Sequence, residues 1–92
     1  MVKDKEYSKH PRDVKGFNGN LEELAQNIGN MQYDCTANFI CALADDIRKQ
    51  ANADKNRGRL KLASRLYETS QELYKSSEAM QKVWKICERY MR

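Results

Sequence analysis

The stretch RKQANADKNRGRLKLASRL, from Arg48 to Leu66, decides the fold. It reads either as the middle of one long helix or as the bend of a helical hairpin. The break signal inside it is NRG, Asn56–Gly58, because asparagine and glycine accept the left-handed backbone that ends many helices. Two stripes at helical spacing flank it. Before the break come Tyr33, Ala37, Ile40, Ala44, Ile47 and Ala51. After it come Ala63, Leu66, Ser70, Leu73, Ser77, Met80, Trp84, Cys87 and Met91. Residues three and four apart share one face of a helix, so each stripe predicts a helix.

The two stripes do not belong to one rod. Ala37, Ala44 and Ala51 repeat every seven residues, as do Ala63, Ser70 and Ser77. At roughly 100° per residue, the step from Ala51 to Ala63 would set the second stripe about 120° around from the first. A bend near Arg57 brings them together instead. It sets Ala51 opposite Ala63, Ala44 opposite Ser70, and Ala37 opposite Ser77. In the same register Ile47 meets Leu66, Ile40 meets Leu73, and Tyr33 meets Met80. Small faces small and large faces large, which predicts an antiparallel hairpin turning at Asn56–Gly58.

Upstream, GNLEELAQNIGN carries the marks of a short helix. Asn20 suits an N-cap, Glu23 completes a capping box, and Gly29 suits a left-handed terminal residue. Leu21, Leu24, Ala25 and Ile28 share one face, and so short a helix needs something to lean on. Residues 1–19 hold the only proline, two of the four glycines and eight charged residues, and read as a loose N-terminal arm in which Val14 and Phe17 are the anchors. The expectation is therefore an all-α fold, a small helical bundle. In it a short N-terminal helix packs on a long antiparallel two-helix hairpin. The helices run at about 20–29, 31–55 and 59–91 within a helical domain of residues 20–92. The last helix outruns its mate, so WKICERYMR overhangs.

Ninety-two residues make one domain, with little stability to spare at this size. The longest apolar run is too short for a membrane span, and the charged start MVKDKEYSKH does not read as a secretory signal. No membrane association is expected. Cys35, Cys41 and Cys87 form no CxxC or CxxH spacing, so they are expected to be reduced, buried thiols in a cytoplasmic protein, with no metal. The single histidine, His10, lies in the arm. No Cys–His or Ser–His–Asp set can be placed on a rigid element, and no glycine-rich phosphate loop is present. No enzyme activity and no cofactor are expected.

Two surfaces stand out. The net charge of +4 is unevenly spread: residues 21–46 carry −5, whereas residues 47–65 carry +6. The basic stretch comprises Arg48, Lys49, Lys55, Arg57, Arg59, Lys61 and Arg65, opposed by Asp54, and it falls at the hairpin turn. It reads as a solvated tip, as a contact for an acidic protein, or as a nucleic-acid contact that tracks phosphates and weakens with salt. No aromatic residue offers a stacking platform there. The second surface is the overhang, where Trp84, Ile86, Tyr90 and Met91 have the make-up of interface anchors. The alternative is that these residues pack on Val14 and Phe17. The resulting expectation is a small non-enzymatic protein that binds a protein partner, or itself, through the Trp84–Met91 end. The alternative is a nucleic-acid-binding accessory protein that uses the basic turn.

Overall fold

The computed structural model describes residues 10–91. They form three α-helices and no strand: α1 (Leu21–Gly29), α2 (Tyr33–Asn56) and α3 (Leu60–Cys87), with a 3-10 turn over Glu88–Met91. The chain divides into two compact units, Met1–Asn30 and Met31–Arg92.

In the first unit, α1 starts with the expected capping box. The Asn20 side chain accepts from the Glu23 backbone N–H at 2.8 Å, and the Asn20 N–H donates to the Glu23 carboxylate at 3.0 Å. These bonds satisfy two of the orphan donors of the first turn. The end of α1 departs from expectation. Gly29 is its last helical residue and is not left-handed; Asn30 follows with φ −86°. The Asn30 N–H still reaches the Gln26 carbonyl at 3.0 Å, so no reversal of backbone hand is required. Phe17 lies against Gly19, where a Cβ would come within 2.7 Å of its ring.

In the second unit, α2 and α3 pack as an antiparallel hairpin. Its turn is a complete Schellman motif. The Gly58 N–H donates to the Lys55 carbonyl at 3.0 Å, and the Arg59 N–H to the Asp54 carbonyl at 2.9 Å. Gly58 carries φ +80°, the conformation that a side chain disfavours.

The expected register holds along the seam. The Ser77 hydroxyl donates to the Ala37 carbonyl of the opposite helix at 2.8 Å. A side chain as short as serine spans the gap only when the backbones come close together. Ala37, Ala44, Ala51, Ala63, Ser70 and Ser77 are all buried, and Thr36 is the one other buried residue described. Small residues thus let the two backbones approach closely along the seam. In this register Tyr33 stands opposite Met80, so about the last two turns of α3 run past the start of α2. The final segment is not α-helical to residue 91: α3 ends at Cys87 and the chain tightens into the 3-10 turn.

Candidate functional site

The close seam gives the hairpin two unlike broad faces. Taking the buried alanine and serine rows as the origin, residues three further on lie about 60° to one side of each helix, and residues four further on about 40° to the other. In an antiparallel pair, corresponding rows of the two helices share a face. One face is polar. On it Tyr67 donates its hydroxyl to Asn52 and Tyr74 to Asp45, both reaching across to α2. The two tyrosines are seven residues apart, and so are their partners, so these bonds repeat the register of the seam.

The opposite face is apolar. From α2 it takes Tyr33, Thr36, Ile40, Leu43, Ile47 and Gln50; from α3 it takes Leu62, Leu66, Thr69, Leu73, Ser76, Met80 and Val83. None of these thirteen residues is charged. The inner row, Ile40, Ile47, Leu66, Leu73 and Met80, is only half-buried. In the outer row Leu43 is 40%, Leu62 48% and Val83 41% exposed. The sequence pattern places the inner row in layers between the helices. The structure instead turns it out to one side, because helices held apart by alanine and serine leave no room between them for isoleucine and leucine. What sequence reasoning missed is this face, and its signal was the lack of charge in two adjacent heptad rows.

The expected anchors at the end of α3 do not form one surface. Trp84 continues the buried serine row and is half-buried, whereas Ile86, two residues on, lies about 200° around the helix and is exposed. Tyr90 and Met91 are exposed on the 3-10 turn, Tyr90 most of all at 83%.

All seven basic residues of the turn region are exposed: Arg48, Lys49, Lys55, Arg57, Arg59, Lys61 and Arg65. Three are engaged locally. Arg59 pairs with Asp54 at 3.1 Å, Arg65 pairs with Glu68 at 2.9 Å, and Arg48 stands beside the Tyr74 hydroxyl. Asp54 is the most enclosed of these partners, so the Arg59 pair closes the turn.

The cysteines are free, but none is buried as expected: Cys35 is exposed, and Cys41 and Cys87 are half-buried. Partial desolvation and the neighbouring Asp34 carboxylate hold the Cys35 thiol above its ordinary pKa. That makes it a weaker nucleophile at neutral pH. Among the described residues, no three of His, Cys, Asp and Glu gather closely enough to hold a metal ion, and every buried side-chain polar atom has a hydrogen-bond partner. No described helix is long and apolar enough to cross a membrane.

No protein-family model matches the chain, and no curated protein or solved structure matches it either.

Proposed function

We propose that this chain is a non-enzymatic helical interaction module, whose hairpin presents an uncharged face to a protein partner. The observation that carries this reading is the inversion of the ordinary helical core. The buried residues of the hairpin are alanine, serine and threonine, while leucine, isoleucine, methionine and valine remain on a surface. Contiguous apolar surface of this kind marks contact sites. The exposed Ile86, Tyr90 and Met91 add apolar surface past the start of α2, though not as one continuous patch. Three free thiols suit a reducing compartment such as the cytoplasm.

The test is affinity capture with the full-length tagged chain in cells that express it, alongside Leu43→Glu, Trp84→Ala and Tyr90→Ala. Leu43→Glu is expected to abolish retention of the bound protein, and Tyr90→Ala to weaken it. Retention that none of the three changes would sink the reading.

A second reading is favoured by the exposure of all seven basic residues around the turn: the protein binds nucleic acid through its phosphates. Fluorescence anisotropy of labelled mixed-sequence DNA and RNA tests it. If four phosphates are contacted, the logarithmic affinity should fall with salt at a slope of about −3 to −4. Arg57→Glu combined with Arg59→Glu should abolish binding. No binding at about 50 mM salt would leave the turn as a solvated end.

A further inference from the structure

The proposed contact face has a size and a chemistry that fit one occupant. We infer that it is covered by the same face of a second copy of this chain, with the two hairpin turns pointing in opposite directions. This rests on the interaction reading above and names the partner.

Three observations support it. The first is area. The shorter helix, α2, has 24 residues and so spans about 36 Å, and two adjacent helices are about 18 Å wide. Closing such a face against itself buries roughly 650 Å² per copy, or about 1,300 Å² in all, within the range of stable interfaces.

The second is self-complementarity. A two-fold interface brings a surface against itself, so residues near the axis meet their own copies. A face of one charge sign would repel its copy. This face carries no charge from Tyr33 to Gln50 on α2 or from Leu62 to Val83 on α3. The charged residues lie on the tyrosine side and the outer edges.

The third fixes the orientation. A two-fold axis along the hairpin would set both turns at the same end, bringing together two stretches that each carry +6. An axis across the hairpin separates them. It lays each basic turn over the far end of the other hairpin, where Asp34, Asp45 and Asp46 of α2 and Glu78 of α3 offset Lys75, Lys82 and Lys85, so the turn no longer meets a second excess of positive charge. Repulsion between like charges therefore selects the arrangement with turns apart.

The small core gives such pairing a purpose. Alanine and serine bury little apolar area, and a two-helix unit without a disulfide commonly gains its missing burial by association. Folding and pairing are then linked, and thermal stability rises with protein concentration.

The experiment is sedimentation equilibrium of the purified chain from about 1 to 200 µM, a range that populates a dimer of micromolar or tighter affinity. The expected result is a mass of two copies of the 10.8 kDa chain. Leu43→Glu should weaken pairing roughly a hundredfold, because the two-fold axis places the substituted charge in the interface twice. A second measurement does not depend on a destabilising variant. A spin label on Arg57→Cys, with Cys35, Cys41 and Cys87 replaced, reports the distance between turns. Turns apart predicts about 45 Å, from fifteen residues on each side of an axis near residue 42 at ~1.5 Å each. A distance near 20 Å would overturn the arrangement.

A folded monomer throughout the concentration range, or a dimer indifferent to Leu43→Glu, overturns self-pairing. If such a monomer still captures another protein in a Leu43-dependent way, self-pairing fails while the interaction reading stands. If that capture is also insensitive to Leu43, both fail.

Discussion

The two faces of the hairpin share one backbone geometry and put it to different uses. On the tyrosine face, Tyr67 and Tyr74 reach across to Asn52 and Asp45, so polar groups on one helix are answered by polar groups on the other. On the apolar face, Ile40, Ile47, Leu66 and Leu73 stand side by side with their outer surfaces open. The seam between the faces is too narrow to absorb them. Small seam residues therefore do more than fix the helix separation. They export the bulky residues to a surface, and the distribution of charge decides which of the two surfaces is left apolar.

The largest effect should come from widening that seam. Ala44 is fully buried between the helices, whereas Ala42, two residues earlier, is exposed. Ala44→Leu should destabilise the hairpin by about 3 kcal/mol, since the opposing backbone cannot retreat without breaking the neighbouring layers. Ala42→Leu makes the same chemical change on the outside and should stay within about 0.5 kcal/mol. Urea unfolding at a fixed protein concentration compares them. Equal losses would mean that the alanine row does not set the helix separation.

A smaller effect separates two adjacent serines. Ser77 donates across the seam to the Ala37 carbonyl, while Ser76, on the apolar face, donates back along its own helix to Glu72 at 3.0 Å. Ser77→Val should cost about 1–2 kcal/mol, because a buried carbonyl loses a donor and a larger side chain enters the seam. Ser76→Val should be close to neutral for the hairpin, and it should strengthen association by enlarging the apolar face. Both changes carry the same β-branching penalty, so their difference isolates the environment. A Ser76 variant that destabilises as much as the Ser77 variant would erase the distinction between seam and face.

Much of this hairpin was legible in the sequence because its controlling feature is a period. Alanine and serine every seven residues fix which rows meet, and the Asn56–Gly58 break fixes where the chain reverses. The capping box at Asn20 was legible for the same reason, since its two partners sit three residues apart. The fate of Ile40 and Leu73 was not, because it depends on helix separation, a distance that a periodic pattern does not state. The same limit applies at Gly29, where the Asn30 N–H finds an ordinary helical acceptor and the glycine's left-handed freedom goes unused. At the basic turn, composition conveyed the charge but not the pairing of Arg59 with Asp54 or of Arg65 with Glu68, which depends on side-chain reach.

The smallest expected effect lies on the tyrosine face and appears only in alkali. Hydrogen bonding to Asp45 is the main cause that raises the Tyr74 pKa, with partial desolvation and the Asp45 charge adding to it and Arg48 opposing them. A raised folded-state pKa means that the neutral phenol is favoured by folding. Its contribution is fully present below the ordinary phenol value, about 10, and is lost as pH rises through the raised folded value. Wild type should therefore lose stability more steeply between about pH 9 and 11 than Tyr74→Phe, which has no proton to lose at that position. Denaturation midpoints measured across this range check it. Parallel curves would mean that the Tyr74–Asp45 bond does not distinguish the folded chain from the unfolded one. The polar face would then be held by the seam alone, and only the apolar face would differ from solvent-exposed helix.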